Sequence, residues 1–263
     1  MIGRLLSALT GHAEPGEFDV VVVANGCTDR TADIAASYGD VRVVETPVAS
    51  KSAALRLGDE VAVGFPRLYV DADVVLHTED LRALRDALAR PGVLAAGPSR
   101  VLPMDHASLP VRWYYDVWQR LPGVRDELYG RGVVAVTPDG HRRLAALPET
   151  MADDLAAATA FVPPERLVVA ESQVIIWPPR TYANLLRRRV RAMTGNRQLA
   201  TSVVRRPPRT STAELVRMTA RDLSLAPRMV VFVATAVLAG VLARRAVRRG
   251  DFTTWLRDES SRA

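Results

Sequence analysis

Apolar residues at the start of the chain recur every three or four positions. Ile2, Leu5, Leu6 and Leu9 share one helical face, so an amphipathic helix is expected from the first residues, with no capping side chain before it. FDVVVVA (18–24) then reads as a buried strand, TADIAASY as a helix, VRVVE (41–45) as a strand, and SKSAALRLGDEVAV as a helix leading to the strand RLYVD. Strands alternating with short helices predict βα units around a mixed, mostly parallel sheet flanked by helices. Further on, the pattern predicts a helix near 79–90, an aromatic stretch VRWYYDVWQRL and a strand at GVVAVT. Helices near 138–146 and 152–161 precede the strand RLVVAESQVIIW, and PPRTYANLLRRRVRAM opens a strongly basic helix after two prolines.

Beyond about residue 200 the pattern changes. RRPPRTSTAE reads as a linker ending in a capping box, Ser211 with Glu214, that starts a modest amphipathic helix. MVVFVATAVLAGVLA (229–243) carries no charge but is shorter than the roughly 17 to 25 residues of a bilayer span. Arg217, Arg221 and Arg228 precede it, and Arg244, Arg245, Arg248 and Arg249 follow it. Positive charge at both ends favours a re-entrant or surface-lying helix over a span, and over a core helix packed on the rest of the protein. The expected division is a domain over 1–200, a linker and amphipathic helix over 201–228, a hydrophobic membrane-associated helix over 229–243 and a basic tail over 244–263.

Composition adds two constraints. Of 35 basic residues only Lys51 is lysine, and the net charge of +6 is made by arginine. That balance points only weakly to membranes or anionic ligands, so the placement of the arginines matters more than their number. Cys27 is the single cysteine, which excludes an intrachain disulfide and any multi-cysteine zinc site. No charged leader followed by a continuous apolar run marks a signal peptide.

The chemistry is concentrated where RLYVDADVVL leaves its strand. Asp71 and Asp73 sit at the C-terminal end, where ligands of open α/β sheets bind. Two carboxylates there suit a divalent cation that neutralises a diphosphate; a solvated strand end is the plain alternative. VVVVANGCTDRTADIA, SKSAALRLGDE and LYVDADVVL, in this order and spacing, resemble the nucleotide-sugar half of family 2 glycosyltransferases. The resemblance continues through YGRGVVAVTPDGHRRL, MADDLAAATAF and RRRVRAMTGN, over about residues 1–200.

That resemblance implies a GT-A (Rossmann-like) fold and an inverting hexosyltransferase-type enzyme, with Mg2+ or Mn2+ held by Asp73 and Asp71 facing the ribose or the metal shell. It places Asn25 against the nucleotide base, with Ala24 where an acidic or amide residue is usual, and Lys51 near the donor phosphates. Asp29 either contacts ligand or caps the next helix. Asp154 is the expected general base with Asp153 supporting it; helix N-terminal acidity is the alternative. Arg188, Arg191 and Ala192 fall on the family's Gln-x-x-Arg-Trp block, so the two arginines are candidates for diphosphate or lipid phosphate while the tryptophan wall is missing. Trp113, Tyr114, Tyr115 and Trp118 read as packing rather than a sugar platform, and His141 as an ordinary helix-start residue.

The expected partners are a nucleoside-diphosphate sugar donor, a glycan, lipid-linked or glycolipid acceptor, and the cytoplasmic face of the cell membrane, with a role in cell-envelope polysaccharide and no nucleic acid. A catalytically degenerate relative that binds nucleotide sugar or membrane is the alternative, supported by Ala24 and Ala192. A sugar-nucleotide nucleotidyltransferase ranks last, for want of a glycine-rich phosphate loop. In the resembled family the first helix follows a strand and a Pro/Asn/Glu-rich turn. Met1 is therefore expected to be an internal methionine of a longer reading frame, or the chain a truncated gene product.

Overall fold

The computed structural model describes residues 1–147, 160–199 and 210–248, which divide into two compact units. Of these, the first comprises residues 1–101, 131–147 and 161–176, and the second residues 102–130, 160, 177–199 and 210–248.

The first unit begins with α1 (Ile2–Thr10), whose buried face is the predicted Ile2, Leu5, Leu6 and Leu9. β1 (Val20–Asn25), α2 (Thr31–Ala36), β2 (Val41–Thr46), α3 (Lys51–Val61) and β3 (Arg67–Val70) follow as the pattern requires. Ser50 caps α3, its side chain accepting from the Ala53 amide at 3.3 Å. Next come β4 (Val74–Val75), α4 (Thr78–Leu88), β5 (Ala95–Val101), β6 (Val133–Val136), α7 (Pro138–Ala145) and β7 (Arg166–Ile176).

The strands form two sheets. β1 and β2 pair in parallel, and the others lie in the order β3-β6-β5-β7-β4. Among the described residues the long ladders, β1–β2 and β5–β7, are parallel and the shorter β3–β6, β4–β7 and β5–β6 pairings are antiparallel, so the sheets are mixed as expected. β1 and β3, which a dinucleotide-type order would place either side of a shared strand, belong to different sheets. Their side chains are correspondingly half-buried, where a central parallel strand is buried on both faces.

β7 carries extra residues where its register against β5 shifts, between the Pro98–Val169 and Ser99–Gln173 pairs. The buried Asp80 of α4 stabilises this bulge: its carboxylate accepts from the Gln173 amide at 2.6 Å and from the His77 amide at 2.9 Å.

In the second unit, α5 (Leu109–Arg120) and the short α6 (Pro122–Arg125) precede α8 (Tyr182–Leu199), α9 (Thr212–Arg221) and α10 (Ala226–Arg248). The predicted capping box of α9 is present: the Ser211 hydroxyl accepts from the Glu214 amide at 3.1 Å, and Glu214 returns a carboxylate to the Ser211 amide at 2.7 Å. The core is aromatic. Tyr114, Tyr115 and Trp118 are buried on α5, and Phe232 of α10 stacks on Tyr114 with ring centroids 5.1 Å apart. α10 is 23 residues long, against the 15 expected, because Ala226–Arg228 and Arg244–Arg248 continue the helix at either end of its uncharged stretch. With the 3-10 turn Leu223–Leu225 it is long and apolar enough to cross a bilayer by length and composition.

Candidate active site

β3 ends at Val70, and the turn Asp71–Ala72–Asp73 carries the chain into β4. Three features fix Asp71. Its amide donates to the Gly132 carbonyl at 2.8 Å, its Oδ1 lies 2.9 Å from Lys51 Nζ, and its Oδ2 faces Gly132. A Cβ at Gly132 would fall 3.3 Å from that Oδ2 and 2.7 Å from Val74 Cγ1, while φ there is +65°. Glycine is therefore required at this point, both for the backbone conformation and for the approach of the turn. Asp73 is exposed and has no ion pair among the described residues.

A second glycine shapes the neighbouring corner. Gly26 has φ +57°, and a Cβ on it would lie 2.7 Å from Ala49 Cβ. The turn after β1 thus packs against the segment that enters α3, bringing Asn25 at the strand end to the same corner as Ser50 and Lys51. Asn25 is partly exposed, and its side-chain amide makes no hydrogen bond among the described residues. Asp29 accepts from the Thr31 amide at 3.1 Å and from its hydroxyl at 2.5 Å. These bonds hold its carboxyl below the usual carboxylate range and make it a turn-forming residue at the start of α2.

The structure thus brings Lys51, Asp71 and Asp73 together, with Asn25 at the adjoining corner. Arg188 and Arg191 lie three residues apart on α8, in the second unit. Asp153 and Asp154 lie outside the described residues. Sequence reasoning missed Gly132, whose signal was the second glycine of YGRGVV, and Arg131 beside it. Arg131 is 2 % exposed, and its guanidinium donates to the Pro98 carbonyl at 2.7 Å, tying the glycine turn to β5.

His141, in the first turn of α7, has a bracing role that its place in the sequence does not reveal. Its Nδ1 is 2.8 Å from the Tyr69 hydroxyl, and its ring lies against Phe65. The same hydroxyl is 3.0 Å from Asp59 Oδ1, and Asp59 pairs with Arg67 at 2.7 Å. Burial, then the Asp59 charge, pushes the Tyr69 phenol well above its ordinary value. This network braces β3 against α3 and α7, so His141 is a structural partner of the strand that carries the carboxylates.

Among the described residues no three acidic, histidine or cysteine side chains cluster as a metal cage.

The family described as "Glycosyl transferase family 2" matches residues 1–136, which is half of the chain and contains β1 to β6 with the Asp71–Asp73 turn. The chain belongs to the family 2 glycosyltransferases. The structure of this glycosyltransferase is similar to a solved one described as "Crystal Structure of a Mycobacterial Protein", at 17% sequence identity and a TM-score of 0.48, covering 74% of this chain and 68% of that one. No curated protein matches it. The mixed α/β architecture around the Asp71–Asp73 turn is consistent with the GT-A fold.

Proposed function

We propose that this glycosyltransferase moves a sugar, with inversion, from a nucleoside diphosphate to a hydroxyl of a glycan, lipid-linked or glycolipid acceptor, working at the cytoplasmic membrane face in the making of cell-envelope polysaccharide. The observation that carries this reading is the Lys51–Asp71–Asp73 cluster at the C-terminal end of β3. It combines one cation with two carboxylates, one of them with no ion pair among the described residues, which suits a metal diphosphate. Asp73, with Asp71 beside it, would hold Mg2+ or Mn2+. When bound, the metal neutralises charge on the departing diphosphate.

Each remaining role falls to a side chain. Lys51 orients Asp71 and sits where donor phosphate oxygens would arrive; Asn25 presents an amide to the nucleotide base. Asp154, supported by Asp153, accepts the proton of the acceptor hydroxyl as that oxygen attacks the anomeric carbon from the face opposite the diphosphate. Arg188 and Arg191 offer guanidinium groups to diphosphate or lipid phosphate oxygens.

The test is turnover of radiolabelled nucleotide sugars with and without Mg2+ or Mn2+, after a thermal-shift panel has found the donor. Metal-dependent transfer of the sugar supports the reading. Donor binding without turnover on any acceptor would instead make the chain a catalytically degenerate relative.

A further inference from the structure

α10 has two apolar faces. One buries Phe232, Thr235, Ala239 and Ala243, which pack on α5 and α8. The other exposes Val230, Val233, Val237, Leu238 and Val241, with Val230 at 69% and Val237 at 62% exposure. This open stripe covers 11 residue steps, about 16 Å along the axis. It ends at Arg244 and Arg245, both exposed, and α10 contains no acidic residue. The adjacent α9 exposes Val216 together with Arg217 and Arg221. Two carboxylates of the same unit are engaged elsewhere, Asp116 by Arg228 at 2.6 Å and Asp222 by Arg120 at 3.0 Å.

We propose that α10 lies in the plane of an anionic lipid surface, with the Val230–Val241 stripe immersed and Arg244 and Arg245 at the headgroups. The inference deepens the membrane-surface reading given above and rests on it. Three observations favour it. The buried and exposed faces run side by side over the same turns, so the helix cannot be surrounded by lipid while it stays packed. Crossing the bilayer would also draw its packed neighbours inward, and these carry Asp116 and Arg120 on α5 and Arg187 and Arg188 on α8. Finally, the arginines beside the stripe, with no ion pair among the described residues, match anionic headgroups, to which their long side chains can reach while the stems stay in apolar surroundings. A second copy paired in parallel through the stripe would set Arg244 and Arg245 against their own counterparts.

The arrangement bears on the acceptor. Helices in contact lie 8–10 Å apart, so lipid on the outer face of α10 puts α8, with Arg188 and Arg191, about one helix diameter from the headgroups. A phosphate that stays at the interface while its lipid tail is anchored is the acceptor chemistry this position serves.

Depth measurement tests the proposal. In the full chain carrying Cys27→Ser, a fluorophore is attached at Val230→Cys, Val237→Cys or Val241→Cys, on vesicles of roughly three parts phosphatidylcholine to one part phosphatidylglycerol. Lipids spin-labelled at shallow or deep acyl positions serve as quenchers. Equal, shallow depth at all three sites is expected. A depth difference approaching about 16 Å between 230 and 241 would mean a spanning helix, which overturns the in-plane assignment while the membrane reading stands. Unquenched, unbound protein overturns both. Val237→Asp with Arg244→Glu should weaken vesicle partition roughly tenfold or more, with an unchanged melting temperature because both positions are exposed; undiminished partition would overturn the proposal.

Discussion

Lys51 and Asp71 form an ion pair whose side chains are both about one-third exposed, and such pairs contribute only about 0–1 kcal/mol to folding. A stabilising role alone would therefore be small, and the pair is better understood as pre-positioning charge. Lys51→Ala should leave the melting temperature within a few degrees yet weaken donor binding about tenfold or more, read by calorimetry. Asp73→Asn should abolish the metal-dependent part of donor affinity with the fold intact; unchanged affinity would remove the metal assignment. Asp154→Asn should keep donor affinity and lose transfer, and a loss of affinity there would contradict the role of base proposed for it. Gly132→Ala should cost about 1–3 kcal/mol, because the new Cβ meets Val74 in a backbone conformation that L-residues avoid. At this scale Asp71, Asp73 and Lys51 were legible because carboxylates and a lone lysine stand out in the sequence. Gly132 was not, because its importance lies in a positive φ and a neighbour 58 residues away.

Among the elements, those with a strong period were read correctly: α1, β1, α3 and α9 lie where the apolar spacing put them. β4 and β5 were not anticipated. β4 has only two residues, and β5 contains Gly97 and Pro98 beside a bulge, so neither shows a continuous apolar run. The end of α10 was misplaced because arginines ended the apolar count without ending the helix. Helix α4 also carries a pH signature. Arg82 holds Glu17 at 2.8 Å, and this hydrogen bond, with the Glu14 amide, lowers the Glu17 carboxyl from 4.5 to about 2. A depressed folded-state value means the stabilisation is fully present above pH 4.5 and is lost as pH falls toward 2. Glu17→Gln should therefore flatten the acid side of the stability profile between those values, measured by denaturant unfolding as a function of pH. An unaltered slope would show that the pair does not couple the 11–17 loop to α4.

For the whole molecule, the second unit depends on its last described helix. Phe232 stacks on Tyr114, whose burial pushes the phenol up to about 12, and Tyr182 meets Thr235 at 3.1 Å. Removing residues 225–263 would thus take away a core layer as well as any membrane contact. The deletion is expected to give an aggregating or poorly folded protein, checked by the loss of near-UV circular dichroism, and not a well-behaved soluble enzyme. Phe232→Ala alone should cost about 3–5 kcal/mol. A deletion that remains folded and moves cleanly to the soluble fraction would show that α10 contributes little to the core.

The division of the first unit into two sheets carries a hazard of its own. Among the described residues β1 pairs only with β2, and β3 only with β6, so each leaves one backbone edge without a ladder partner. β1 presents VVVVAN along that edge, a run with high strand propensity, no charge and no proline. Nothing in such a run resists docking by a like strand from another molecule, since no lysine or proline acts as gatekeeper within it. The expected consequence is colloidal: cross-β association that grows with concentration, read by light scattering, should start at the same strand whose end carries Asn25.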